Sequence, residues 1–303
     1  MKVRLVYDYD KKSENYYKDT LKLKDFFAEY NTDEIYDNNN RSAIMHNKFF
    51  IFDDKKVWTG SANVTDTDLS GFNANYVILM NSTEIVNIYK QEFEQMLAGK
   101  FHKDKSVINK NPVKLSDKTE VRVLFSPKDN IIDKYLIKEI NNAKEYIYMP
   151  IFFITSKELI EPLINAHKRG VDIKIIDDAT NAHNKYSIHK ILRESGISVK
   201  TENMAGKMHM KGAFTDNRVS VLGSMNFTKS GNLHNDENVL IIYDEGIAKY
   251  LKSEFMKVWN RIPEKYLKFD PYPESYESIG SCSDGIDNDY DGKVDKADEG
   301  CKR

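Results

Sequence analysis

The chain has 303 residues, with 45 lysines and arginines against 47 aspartates and glutamates and a hydrophobic fraction of 40%. That composition can bury one or two substantial cores, and the charge balance supplies no global field toward nucleic acid or an anionic membrane, so any polyanion site has to be local. No stretch approaches the ~20 apolar residues of a membrane-spanning helix, and the opening Met-Lys-Val-Arg-Leu-Val-Tyr lacks a signal-peptide profile.

In chain order, an apolar run at Lys2–Asp8 comes first, and Met-His-Asn-Lys-Phe-Phe-Ile-Phe-Asp follows from Met45. A strand at Lys56–Thr59, a polar loop, a strand at Tyr76–Met80 and an amphipathic helix over Thr83–Leu97 come next. Lys100–Lys118, rich in Lys and Asn (Lys100, Lys103, Lys105, Lys110, Lys114, Lys118), reads as a flexible solvated connector. Beyond it are a strand at Val121–Phe125, a helix at Asn130–Lys144, a strand at Tyr146–Phe153 and a helix at Ser156–Arg169 closed by Gly170. Val171–Ile176 is a further apolar run, Lys185–Glu194 a helix stopped by Gly196, and Ile197–Thr201 a strand. After the stretch from Met208 come strands at Arg218–Leu222 and Val239–Tyr243 and a helix at Gly246–Asn260. The alternation predicts an α/β fold, a mixed sheet with helices on its faces.

The chain also repeats itself. Met-His-x-Lys recurs from Met208 as Met-His-Met-Lys-Gly-Ala-Phe-Thr-Asp, and both copies run into Gly-Ser-x-Asn-x-Thr. A spacing of 163 relates His46 to His209, Lys48 to Lys211, Asp53 to Asp216, Gly60 to Gly223, Asn63 to Asn226, Thr65 to Thr228 and Asn75 to Asn238. This predicts two similar α/β halves related by pseudo-two-fold symmetry, 1–99 and 119–262, joined by a linker at 100–118. A second linker at 263–281 leads to a tail at 282–303. Because Lys2–Asp8 resembles Asp172–Asp178, the block over Val121–Gly170 has no counterpart in the first half, and roughly fifty residues are expected to be missing there.

One His-x-Lys-x-x-x-x-Asp is weak evidence, since those residues are common on any surface; two copies are strong. His and Lys two apart on a strand emerge on the same face, and the Gly-Ser-x-Asn loop brings an amide to the same point. Ammonium and amide donors suit phosphate oxygens, and an imidazole can act as nucleophile or general acid near neutral pH. Two such sets face to face place a histidine on each side of a phosphorus atom, as an in-line displacement requires. His102, His167, His183, His189 and His234 have no such company and are assigned to surface or helix-face positions.

His46, Lys48, Asp53, Gly60, Ser61 and Asn63, with His209, Lys211, Asp216, Gly223, Ser224 and Asn226, closely resemble the paired His-Lys-Asp motifs of the phospholipase D superfamily. The resemblance spans about Lys2 to Trp259, and Phe125-Ser-Pro-Lys-Asp-Asn130 and Arg169-Gly-Val-Asp-Ile look like its bacterial branch. It implies a metal-independent phosphodiesterase working through a phosphohistidine, with Lys48, Lys211, Asn63 and Asn226 holding the non-bridging oxygens. Ser61 and Ser224 are phosphate-loop donors or plain turn serines, and Asp53 and Asp216 are structural. The resemblance further implies that a carboxylate after the loop of one half holds the histidine of the other. Glu237 is that carboxylate for His46, whereas the first-half position at the same spacing is Ala74, so His209 has none unless the missing segment, Asp66 or Asp68 provides it, and His46 is assigned as nucleophile and His209 as general acid. Nucleic acids and phospholipids are both open as substrates, with Phe49, Phe50, Phe152, Phe153 and Phe227 as an apolar rim for the latter. Transfer to an alcohol, as in cardiolipin synthesis, and a non-catalytic polyanion-binding module are the alternatives. A monomer carrying an intramolecular pseudo-dimer is expected.

In the tail, Asp287, Asp289, Asp291, Asp295 and Asp298 take loop positions 1, 3, 5, 9 and 12 of the calcium-loop register, with Gly292 at 6 and the Lys293 carbonyl at 7. Cys282 and Cys301 bracket the loop and read as a disulfide, so a structural calcium ion and an extracytoplasmic, secreted location are expected, with no cofactor for catalysis.

Overall fold

The computed structural model describes residues 3–8, 33–37 and 43–302. Its strands are β1 (Arg4–Asp8), β2 (Asp33–Asp37), β3 (Phe49–Phe52), β4 (Lys56–Gly60), β5 (Val77–Asn81), β6 (Val113–Lys114), β7 (Glu120–Ser126), β8 (Tyr146–Ile151), β9 (Asp172–Asp177), β10 (Ser198–Thr201), β11 (Gly212–Thr215), β12 (Val219–Gly223) and β13 (Glu237–Tyr243). The helices used below are α1 (Asp66–Leu69), α2 (Thr83–Leu97), α3 (Ile137–Asn142), α4 (Ile160–Lys168), α5 (Ala179–Ala182), α6 (His189–Glu194), α7 (Lys229–Leu233) and α8 (Glu245–Arg261).

An eight-stranded mixed sheet runs β10-β9-β8-β11-β12-β13-β7-β6. Its central strands are mostly apolar and almost wholly buried, as Tyr-Ile-Tyr-Met-Pro-Ile and the Val-Leu-Ile-Ile of Glu237–Tyr243 illustrate, because both faces are covered. On one face Ile140 of α3, Leu163 and Ala166 of α4 and Leu192 of α6 pack against Met149, Ile175, Val221 and Ile241. On the other, Phe255 and Trp259 of α8 pack against Tyr146, Tyr148 and Phe214.

The first-half strands form two smaller sheets, a parallel β1-β2 pair and an antiparallel β3-β4-β5. The latter repeats the pairing of β11-β12-β13, with Gly60 opposite Val77 as Gly223 is opposite Val239. In the large sheet β8 lies between β9 and β11; among the described residues no strand lies between β1 and β3. The outer face of β3-β4-β5 accordingly presents Phe50, Val77 and Leu79, 42%, 47% and 58% exposed, where the matching Ala213, Val239 and Ile241 are buried under α3 and α4. Its inner face, with Val57, Met80 and Tyr89 of α2, packs on Val123, Phe125, Leu222 and Leu240, and this shared core holds the two sheets together.

The connector reading of Lys100–Lys118 is corrected at His102 and Lys105, while Lys100, Lys103, Lys114 and Lys118 are exposed. His102 and Lys105 are buried: the His102 ring reaches Asp37 (2.5 Å) and Asp236 (3.0 Å), and Lys105 pairs with Glu92 and Asp236 (2.6 Å). The partners that make this burial affordable are far away in sequence, so composition reads only a solvated run. His189 is likewise buried, with its ring bonded to Ser187 (2.8 Å) and Asp270 (3.1 Å). The second linker is also packed, with Tyr266 and Glu274 buried.

Candidate functional site

Each motif histidine lies on the extended segment that leads into a strand, His46 before β3 and His209 before β11. The segment around His46 is held by the other half: its N–H donates to the Asp236 carbonyl (2.8 Å), and the Lys48 N–H donates to Asn238 Oδ1 (2.9 Å). The reciprocal contact is Tyr76, whose hydroxyl donates to the Lys211 carbonyl and accepts from the Gly223 N–H (2.9 Å). Two carboxylates that motif reasoning did not include anchor the residue before each histidine. Asp8 accepts from the Met45 N–H (3.0 Å) and Asp178 from the Met208 N–H (2.9 Å). The similarity of Lys2–Asp8 to Asp172–Asp178 is the sequence signal that pairs them.

The two Gly-Ser loops are alike in structure. A Cβ at Gly60 would lie 2.2 Å from the Tyr76 carbonyl oxygen, and one at Gly223 would lie 2.1 Å from that of Asn238, so each strand crossing excludes any side chain. These contacts make Tyr76, not Asn75, the counterpart of Asn238, because the first-half loop is one residue longer. The spacing of 163 therefore ends inside the loop, and the counterpart of Glu237 is Asn75, not Ala74. Both residues do the same work. The Ser224 hydroxyl donates to Glu237 Oε2 (2.6 Å), which also accepts from His46 Nδ1 (2.7 Å). The Ser61 hydroxyl donates to Asn75 Oδ1 (2.8 Å), which lies 3.1 Å from His209 Nδ1. Ser61 and Ser224 are fully buried, and their hydroxyls donate to Asn75 and Glu237.

Burial pushes His46 below its ordinary pKa, with Glu237 opposing and Lys48 and Lys211 adding to it. Burial would raise the Glu237 carboxyl, but His46, Lys48 and Ser224 outweigh that and hold it low. His209, buried and beside Lys211 and Lys48, is pushed well down. Lys48 and Lys211 each donate from Nζ to the carbonyl of their own motif histidine. Burial lowers both, Lys48 to about 8 and Lys211 well below its usual value, with Lys48 adding to the effect on Lys211. Two crowded ammonium groups in a dry site are a natural place for an anion.

Asn63 donates from its side chain to Asp68 (2.9 Å), whereas the Asn226 side-chain oxygen is buried without a partner. Asp216 accepts from the N–H groups of Lys144, Glu145 and Tyr146, tying the motif turn to the start of β8, which fits its structural assignment. Asp53 lies exposed in the equivalent turn. Of the phenylalanines assigned to a rim, Phe152 meets the site, its ring 4.9 Å from that of His209 and 4.8 Å from Lys211 Nζ. Phe227 is buried in the core, and Phe49 packs on Tyr89.

A family model described as "Cardiolipin synthase, PLD-like domain" matches residues 1–97 and 136–259. The chain belongs to the phospholipase D superfamily. It is 31% identical to a phospholipase D of Rickettsia prowazekii, over 50% of this chain and 73% of the relative. It is 32% identical to the human mitochondrial cardiolipin hydrolase, over 49% of this chain and 58% of that protein. The structure of phosphatidylserine synthase from Haemophilus influenzae shares the fold, with a TM-score of 0.59 at 16% identity over 78% of this chain and 69% of that one. Among the described residues no helix is long and apolar enough to cross a membrane.

Cys282 and Cys301 form a disulfide. Around it, Asp289, Asp291 and Asp298 bring carboxylate oxygens within 4.8 Å of one another, as do Glu274, Asp287 and Asp289. Such an all-oxygen set fits a hard divalent cation. Asp295 belongs to neither group, and its carboxylate accepts from the N–H groups of Asp284 and Gly285. The Lys293 N–H donates to Asp291 (2.8 Å), and Glu274, from outside the tail, was not legible as a member of the cluster. The tail packs on the lead-in to the second motif: Asn288 donates to the Ala205 carbonyl (3.0 Å), and Lys207 donates from Nζ to the Asn288 carbonyl and to Thr180 (2.8 Å).

Proposed function

We propose that the chain is a phosphodiesterase with one active site built by two pseudo-two-fold-related halves, and that His46 attacks phosphorus while His209 protonates the leaving oxygen. The observation that carries this is the reciprocal support of the rings, His46 by Glu237 and His209 by Asn75. In the first step His46 Nε2 forms a bond to phosphorus, the bond to the leaving oxygen breaks, and that oxygen takes the proton from His209 Nε2. In the second, His209 takes a proton from water, the water oxygen bonds to phosphorus and the P–N bond breaks. Phosphorylation at Nε2 leaves the ring cationic for the life of the intermediate, and the Glu237 carboxylate at Nδ1 offsets that charge. Lys48 and Lys211 neutralise the non-bridging oxygens as charge grows on them. No step requires a metal.

The test is trapping with an activated diester such as bis-(p-nitrophenyl) phosphate. His209→Ala is expected to accumulate a phospho-enzyme at His46. Label at His209 in a His46→Ala protein would reverse the assignment. A panel of single-stranded DNA, RNA and phospholipid vesicles, with chelator present, reads out the substrate class, and added primary alcohol separates hydrolysis from transfer. The disulfide and the carboxylate cluster support a calcium-binding tail in an extracytoplasmic setting.

A further inference from the structure

Two histidines that are duplicates in sequence have different neighbours at Nδ1, and the difference traces to Asp68 on α1. Asp68 is buried and accepts four hydrogen bonds: from the Asn63 N–H (2.6 Å) and side chain (2.9 Å), from the Asn73 side chain (2.7 Å) and from the Asn75 side chain (2.9 Å). A carboxylate can only accept, so each of these amides must turn its NH2 group toward Asp68. For Asn75 that leaves Oδ1 facing Ser61 and His209. An oxygen at that point demands a proton on His209 Nδ1, which leaves Nε2 as the atom that gives its proton to the leaving oxygen in the first step and, as a lone pair, takes one from water in the second. The second half has no such device, because Gly231 stands 163 residues from Asp68, and a Cβ there would lie 2.5 Å from the Asn226 carbonyl oxygen.

We propose that Asp68 is a positioning residue for the reaction: through Asn75 it fixes the tautomer of His209 with a neutral amide, while Glu237 gives His46 a charged partner, and this asymmetry separates the acid from the nucleophile. Asp68 Oδ2 lies 3.6 Å from His209 Nδ1, beyond hydrogen-bond reach, so it orients the ring through the amide instead of pairing with it. The charged groups facing His209 are Asp68 from α1, His46 and Lys48 from the first motif segment and Lys211 from its own segment. The proposal rests on the phosphodiesterase reading above, and His209→Ala serves as the control for that reading.

Asp68→Asn, and separately Asn75→Asp, are compared with the parent protein by steady-state kinetics on the activated diester and by 15N NMR of the histidine rings. Asp68→Asn frees the Asn75 amide to turn over. It is expected to lower kcat by about 10- to 100-fold with KM nearly unchanged, with His209 shifting from the Nδ1–H to the Nε2–H tautomer. Asn75→Asp gives His209 its own carboxylate, and the ring is expected to titrate at higher pH, as its charged form gains a partner. Two folded variants with parental kcat, parental His209 tautomer and unchanged titration would overturn the proposal. If Asp68→Asn does not fold, Asn75→Asp alone decides it. If His209→Ala keeps parental activity, the functional reading itself fails, and the two failures are thereby distinguished.

Discussion

Glu237→Gln is the sharpest probe of the chemistry. The carboxylate is fully buried, accepts from His46 at 2.7 Å and from Ser224 at 2.6 Å, and has Asn235 Nδ2 3.2 Å from its other oxygen. Glutamine keeps the shape and one oxygen for His46, but its NH2 then meets the Asn235 amide, and the formal charge opposite the phosphohistidine is gone. A hydrogen bond to a charged partner contributes about 1.5–3 kcal/mol. At 1.36 kcal/mol per tenfold in rate, kcat is expected to fall roughly 10- to 150-fold. Glu237 favours the charged form of His46 against burial, so its removal is expected to move the titration of the His46 ring, read by NMR, to lower pH. Single-turnover kinetics on the activated diester give the rate. A variant within about threefold of the parent rate and with His46 titrating as before would refute the carboxylate's part in the reaction.

Lys48 is lowered to about 8 by burial, so kcat/KM is expected to decline as pH rises through about 8, and Lys48→Arg, which stays charged, should carry that limb upward in a pH profile. His102 is opposed by burial, but its bonds to Asp236 and Asp37 outweigh this and raise it to about 9. Its folded pKa lies above the unfolded value, so its stabilisation is complete below the ordinary histidine pKa and lost as pH rises through about 9. Thermal melts of the parent should show that loss, and those of His102→Gln should not. Calcium is expected to raise the melting temperature through the tail, an effect abolished by Asp289→Asn, while chelator leaves turnover of a small diester intact; loss of turnover with the core still folded would contradict a metal-independent reaction.

How far the sequence reaches can be judged at particular residues. The α/β alternation, the duplicated His-Lys pairs and the Cys282–Cys301 pairing were legible because each is a local pattern or a repeat of composition. Glu237 was legible through the family resemblance, which implies a carboxylate after the Gly-Ser-x-Asn loop that the repeat marks. Its counterpart was misplaced because counting residues cannot detect a loop one residue longer. The register is set where β4 crosses β5, by the contact of Gly60 with the Tyr76 backbone, and only that contact puts Asn75 opposite His209. Asp8 and Asp178 are ordinary acidic residues until folding directs backbone donors at them, and Asp68, legible only as an alternative carboxylate for His209, reaches that ring through Asn75. His102 and Lys105 read as solvated because the charges that make them buriable, Asp37, Glu92 and Asp236, come from three separate parts of the chain. Sequence by itself determined which groups are candidates for the chemistry. The tertiary structure decided which partner each group has, because hydrogen-bond partners are chosen by distance in space.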